Sequence, residues 1–248
     1  MRHLESPPFD DLFHFRSIIG KLNYLEKCTR PDIPYAAHQC ARFTEDPRQE
    51  HGKAVRWLGR YLKGTRDKGI VFRPLMEGEL EVYVDADFVG NWKKEESNDR
   101  DNARSRHGYV IRYHGCPILW KSQLQGEIAL SSTESEYMGI SYSLRDAIPI
   151  METLDEMQKK KFPISSSKGK IKCRLFEDNS GALEMAKVHK YRPRTKHINA
   201  KYHHFRDFVT NGRITLHPID TGSQPADMLT KPLNETALVK HRTYVMGW

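Results

Sequence analysis

Acidic residues stand at four places where an apolar strand stops or a helix starts: Asp85 or Asp87 in EVYVDADF, Glu136 in STESEYMG, Asp178 in EDNSGA and Asp227 in QPADMLT. Carboxylates gathered at one point raise one another's pKa unless cations lie between them. The chemistry that suits such a set is a pair of divalent cations about 3.5–4 Å apart, clamping the attacking water and the departing oxygen of a phosphodiester. Each acid also has an ordinary structural use. Asp178 precedes a helix and can cap it. Asp227 falls in a first turn, where negative charge complements the helix dipole. Glu136 can close a capping box with Thr133, but helical geometry separates the two uses. The long helix spans about 132–160, and its apolar stripe is Tyr137, Ile140, Leu144, Ala147, Met151 and Leu154. At about 100° per residue Glu136 lies on the flank of that stripe, facing the sheet, while Glu134 points away. Ser131 and Glu134 supply an alternative box, which frees Glu136. An inward carboxylate needs a counter-charge, and a metal provides it. Asp85 and Asp87 share one face of a regular strand, so alternation does not choose between them.

The elements that must position these acids follow from periodicity. Residues 11–65 carry apolar residues at helical spacing in three runs, the second following a proline break and the third opening at Pro47 and closing on Gly64. GIVFRP is a short strand candidate, and Pro74 and Gly78 mark a boundary near residue 78. From residue 79 the period becomes two, with Leu80, Val82, Val84, Ala86 and Phe88 on one face. RHGYVIRYHG and PILWKSQLQ follow as strands meeting at His114-Gly115-Cys116, giving an antiparallel meander. The long helix comes next, and Pro149 inside it must kink or divide it. IKCRLF is a fourth strand, NSGALEMAKVHK a short helix, 197–211 a basic helix, RITLHPID a fifth strand, and QPADMLTKPL a short helix stopped by Pro232. Strands four and five alternate with helices and should run parallel to the first. The expectation is an α/β fold with a mixed five-stranded sheet.

Composition bounds the rest. The 248 residues are 38% hydrophobic and 29% charged, enough for a core and without a run near the ~20 apolar residues that span a bilayer. The amino-terminal stretch lacks a basic-then-apolar leader, which argues against secretion. Four cysteines, far apart in sequence, form no metal ladder and predict free thiols in an intracellular setting. Net charge is +8, and it is unevenly spread: residues 187–207 hold seven Lys/Arg and four His against one acid. Such a run is commonly a solvated face, but the interleaved aromatics and histidines point to a polyanion such as nucleic acid. His197, His203 and His204 lack cysteine partners, so helix-face or backbone contacts are expected for them rather than zinc.

YVDADF, WKSQLQGEIALSSTESEYMG, LFEDNSGALEMA, RTKHINAKYHHFRD and QPADMLTKPL closely resemble the ribonuclease H domain of copia-like retrotransposon polyproteins. SIIGKLNYLEKCTRPDIPYAAHQCARF and HGKAVRWLGRYLKGT are similar to the segment that joins the reverse transcriptase to that domain. Together they cover roughly residues 14–232 in the same order. The resemblance implies a ribonuclease H-like fold with helices on the sheet and a small, mainly helical region before it. It divides the chain into 1–78, a thumb- or connection-like remnant, 79–232, the ribonuclease H-like part, and 233–248, a tail. It implies two Mg2+ (or Mn2+) ions and hydrolysis of the RNA strand of RNA/DNA hybrids during reverse transcription, at intracellular particles or in the nucleus. The first family acid precedes a small residue after an apolar strand, which selects Asp85, with Asp87 as a neighbour that tunes the field or touches solvent. Glu136, Asp178 and Asp227 match the second, third and fourth as metal-holding, catalytic residues. Lys190, Arg192, Arg194, Lys196, His197 and Lys201 are the expected nucleic-acid contacts. No YVDD motif or other sign of a polymerase palm is present. The expectation is therefore a carboxy-terminal piece of a polyprotein, with any fingers and palm supplied in cis or in trans and no membrane partner. His217 stands ten residues before Asp227, a spacing known for a mobile histidine in related cellular enzymes, but HPIDTGSQPAD does not otherwise match. The rival reading is a catalytically inactive or domesticated nucleic-acid-binding fragment that kept the fold.

Overall fold

A computed structural model of the chain describes residues 6–10, 13–92, 94, 100–164, 169–187 and 200–248. Three helices come first: α1 (Phe15–Cys28), α2 (Pro34–Ala41) and α3 (Gln49–Gly64). Their apolar faces, Phe15, Ile19 and Leu22 on α1, Ile33, Ala37 and Cys40 at α2, and Val55 and Leu58 on α3, close a small core of their own. The sheet follows as β1 (Leu80–Asp87), β2 (Arg106–Tyr113) and β3 (Cys116–Leu124), then α4 (Ser132–Lys159), β4 (Cys173–Glu177), α5 (Ser180–Lys187), α6 (Arg206–Thr210) and β5 (Ile214–Pro218). Two helices, α7 (Asp227–Thr230) and α8 (Glu235–Met246), complete it.

The five strands lie in the order β3-β2-β1-β4-β5. β1–β2 and β2–β3 are antiparallel, while β1–β4 and β4–β5 are parallel. The β2–β3 hairpin turns at His114 and Gly115, both at positive φ (48° and 78°), as a tight two-residue turn requires. Alternation along the strands divides the sheet into two faces. Leu80, Val82, Val84, Tyr109, Ile111 and Leu175 meet the stripe of α4, including Tyr137, Ile140, Leu144 and Met151, in the main core. On the other face Val110 packs with Met228 and Leu229 of α7 and Val245 and Met246 of α8. This is the mixed sheet flanked by helices, preceded by a helical region, that the ribonuclease H-like expectation describes.

The helical region is fastened to the rest. Trp120 Nε1 on β3 donates to Glu26 O of α1 at 2.5 Å, and α2 packs on β3 and α7. From α8, Arg242 Nη1 donates to Tyr61 OH of α3 at 3.2 Å, and Trp248 Nε1 donates to Gly69 O at 2.7 Å. The Trp248 ring lies under the Arg242 and Arg30 guanidinium groups.

Several local expectations are corrected. GIVFRP forms no strand: Val71 N donates to Met246 O and Leu75 N to His114 O, single bonds to different elements rather than a ladder, and Pro74 has no donor to give. Pro149 does not divide α4. Pro149 and Arg145, one turn before it, are both exposed, so the ring sits on the solvent side of the helix. Over the described part of the basic helix expected at 197–211 there is a 3-10 turn, Ala200–His203, and then the short α6. Tertiary packing decides this, because Tyr202 and Phe205 are plugged into the main core. The tail expected over 233–248 contains α8, capped by Asn234, whose side chain accepts from Ala237 N at 2.9 Å, and stopped by Gly247 at φ 87°. Among the described residues no helix is long and apolar enough to cross a membrane, and Cys28, Cys40, Cys116 and Cys173 are free thiols.

Candidate active site

The β1–β4 ladder ends at Tyr83–Phe176, two residues before Asp85. Beyond it the strands part, and the gap is where the acids gather. Asp85 hangs from β1, Asp178 follows the last residue of β4, and Glu136 reaches in from the second turn of α4 to the backbone at Ala86. One ligand oxygen from each of these acids lies within 4.8 Å of the others. The local sequence explains why they are free to do so. Asn179 caps α5, its Oδ1 accepting from Ala182 N at 3.0 Å, so Asp178 has no capping duty. Ser131 Oγ accepts from Glu134 N at 3.1 Å while Glu134 Oε2 turns back to Leu130 N at 2.9 Å. That bond covers Glu134 and leaves Glu136 facing the sheet.

Asp227 opens α7 on the other side of Asp85 and stands outside the close trio. Between Asp227 and Asp85 lies Lys231, whose Nζ is 2.9 Å from Asp227 Oδ1 and 3.6 Å from Asp85 Oδ1. The second oxygen of Asp85 accepts from Thr230 Oγ1. This close approach needs Gly108, the β2 partner of Asp85, since a Cβ there would meet Leu229 Cβ at 2.5 Å and Thr230 Cγ2 at 2.9 Å. Gln224 is fully buried and bridges the parted strands, donating through Nε2 to Val84 O at 2.9 Å and Phe176 O at 3.4 Å. It thereby pins the turn that carries Asp227.

Without a cation the site is electrostatically costly. Burial pushes Glu136 well above the carboxylate range, and Glu177, Asp85 and Asp178 add to it. Glu177, the last residue of β4, is raised well above that range by burial too, and Asp178 and Asp85 raise it further against the bond it accepts from Asn179 N. Burial raises Asp85 although Lys231 and Thr230 oppose it, and Asp227 is pushed up to about 7 by burial and by Asp85. Glu136 is 6% exposed, and its Oε2, like Glu177 Oε2, has no hydrogen-bond partner. An all-oxygen donor set in which Glu136 Oε2 is buried and unpaired fits a hard divalent cation.

The other expected residues divide as follows. Asp87 is half-buried at the end of β1 and raised by burial and then by the charge of Asp85, a neighbour in the same field. His217 Nε2 pairs with Thr215 Oγ1 at 2.8 Å, and the charged groups acting on it are Arg174, Glu79 and Lys187, none of the site acids. His203 Nδ1 meets Tyr137 OH at 2.5 Å and His204 Nδ1 meets Ser141 Oγ at 3.4 Å, so both are side-chain partners of α4. Lys190, Arg192, Arg194, Lys196 and His197 lie outside the described residues. Lys201 sits in the 3-10 turn, with its side chain outside them. Sequence reasoning missed Glu177, Gln224, Thr230 and Lys231. Two of these left a signal: Glu177 alternates with Cys173 and Leu175 on the inward phase of β4, and Lys231 stands four residues after Asp227, one helical turn on.

Fold and acid cluster define a ribonuclease H-like protein with a candidate metal centre. Its homologues include the Pol polyproteins of copia-like transposons. It is 36% identical over 231 residues to the retrovirus-related Pol polyprotein from transposon TNT 1-94 of Nicotiana tabacum, covering 91% of this chain and 16% of the relative. It is 34% identical over 227 residues to that from transposon RE1 of Arabidopsis thaliana, covering 92% of this chain and 14% of the relative. The chain thus spans about a seventh of the length of these relatives. No family model matches. The solved structure of LC11-RNase H1, isolated from compost, superposes over 66% of this chain and 98% of its own at TM-score 0.43 and 15% identity. The fold assignment rests on strand order rather than on that superposition.

Proposed function

We propose that this chain cleaves the RNA strand of RNA/DNA hybrids during retrotransposon reverse transcription, using two divalent cations (Mg2+ or Mn2+) held by Asp85, Glu136, Asp178 and Asp227. The observation that carries this reading is the convergence of Asp85, Glu136 and Asp178 within 4.8 Å at the gap between β1 and β4. Bound divalent cations supply Lewis acidity, which lowers the pKa of the attacking water and offsets charge on the departing 3′ oxygen. The protein's part is positioning. Asp85 stands between Lys231 and the Glu136–Asp178 side, placed to serve both cation positions. Thr221 Oγ1 donates to Asp178 Oδ2 at 2.7 Å and fixes the rotation of that carboxylate. Gln224 holds the gap open to one width. Choice of the RNA strand calls for contacts to 2′-hydroxyls across the wide minor groove, with Lys190, Arg192, Arg194, Lys196, His197 and Lys201 as the proposed phosphate track for the other strand. Any fingers and palm act with the chain in cis or in trans.

The test is cleavage of a hybrid labelled on its RNA strand, in Mg2+ and in Mn2+. Wild type should cut, and Asp85→Asn or Asp178→Asn should lose roughly 100-fold or more, as when one preorganised electrostatic group is removed from a polar active site. Asp87→Asn should stay within about tenfold of wild type, because it tunes the field without holding a cation. Wild type that binds hybrid yet cuts in neither metal would establish the binding-module reading. Loss in Asp87→Asn with retention in Asp85→Asn would assign the catalytic strand position to Asp87.

A further inference from the structure

The four acids are not served alike. One ligand oxygen each from Asp85, Glu136 and Asp178 lies within 4.8 Å of the others, whereas Asp85 and Asp227 face one another across an ammonium. Lys231 Nζ is 2.9 Å from Asp227 Oδ1 and 3.6 Å from Asp85 Oδ1, and its side chain is 32% exposed, so it enters from the solvent side. The lysine cannot withdraw as a rigid unit. Lys231 N donates to Asp227 O at 3.1 Å, and the preceding Thr230 is fully buried and bonded to Asp85. Only the flexible butyl chain is free to swing.

We propose that Lys231 is a built-in counter-cation that fills the Asp85–Asp227 position of the metal-free site, making its two cation positions inequivalent. This rests on the two-cation reading above. The position among Asp85, Glu136 and Asp178 is open and takes the first divalent ion directly. The position between Asp85 and Asp227 takes a second only when the ammonium is displaced, since a divalent ion and an ammonium within about 4 Å repel strongly even at a surface-like dielectric. Lys231 therefore acts as a positioning residue that separates the affinities of the two sites and keeps Asp85 and Asp227 together before any ion arrives.

Calorimetric titration of the full chain with Mn2+ tests this, beside Lys231→Met, which keeps the stem, and Lys231→Arg, which keeps the charge. Wild type should show one tight and one weak site. Lys231→Met should tighten the weak site by at least about tenfold and leave the first nearly unchanged, and Lys231→Arg should keep it weak. In EDTA, Lys231→Met should melt below wild type, and Mn2+ should raise its melting temperature more than that of wild type. Should Lys231→Met fail to fold, wild type alone decides. The nitrogen resonance of the Lys231 ammonium should hold through the first equivalent of Mg2+ and move with the second. Movement with the first equivalent, or equal second-site affinity in wild type and Lys231→Met, overturns the proposal while the two-cation reading stands. Absence of Mn2+ uptake by wild type and variant overturns both.

Discussion

His107, paired across the β1–β2 ladder with Ala86, shows how a single buried residue sets a pH limit without being one of the site acids. It is 1% exposed, its ring stacks on Tyr142 with centroids 4.4 Å apart, and neither ring nitrogen has a hydrogen-bond partner. Burial, with Lys121 and Arg106 adding to it, pulls its pKa down from 6.5 to about 3. The native state therefore binds fewer protons than the unfolded chain, so the stability this neutral ring contributes is present above pH 6.5 and is lost as pH falls toward 3. At pH 5 the loss is on the order of 2 kcal/mol. Urea unfolding at pH 7 and pH 5 should show that difference in wild type and a much smaller one in His107→Phe; an equal difference in both would place the acid sensitivity elsewhere. Alternation puts His107 on the face of Tyr109 and Ile111, but its stacking partner Tyr142 arrives from another element and could not be read from RHGYVIRY. The acids were more legible. Each ends a strand or opens a helix, positions that a one-dimensional pattern can locate. Which partner each would find, Lys231 for Asp227 or Glu177 for Glu136, is a property of the parted strands and left only weak local traces.

Among the described α-helices α7 is the shortest, and Gly108 is what lets it lie where it does. A methyl group at that position would push Leu229 and Thr230 away from β2, and with them the bond from Thr230 to Asp85 and the approach of Asp227. Gly108→Ala is therefore expected to cost about 1–3 kcal/mol by overpacking and to weaken metal binding at the Asp227 side. Chemical denaturation together with Mn2+ titration checks it, and wild-type values in both would show that α7 shifts freely. Regular elements were the readable ones, with β1 to β5 and α4 announced by clean periods. The failures have a common physical cause. GIVFRP lacked a strand to pair with, the 197–211 run was overruled by Tyr202 and Phe205 entering the core, and α8 was hidden because its apolar residues pack on the sheet and α7, elements that only the fold brings to it. Each of these depends on contacts between residues distant in sequence, where pattern carries no weight.

For the whole molecule, the proposed division near residue 78 coincides with a change of pattern but not with an absence of bonds. Tyr61, Gly69, Val71 and Glu26 are all held from the other side of it. Limited trypsin cleavage in the 65–78 stretch, which offers Arg66 and Lys68, should leave the two fragments eluting together in size exclusion under native conditions. Separate elution would mean that each folds and stands alone. The clasp between α3 and α8 also has a temporal meaning. Tyr61 and Arg242 are 181 residues apart, and at about 5–20 residues per second a ribosome needs roughly 10–35 s to deliver the second after the first. Throughout that interval the surface around Arg30 and Gly69 that Trp248 later covers stays open, so the helical region is finished only when a segment made much later in synthesis comes back to it.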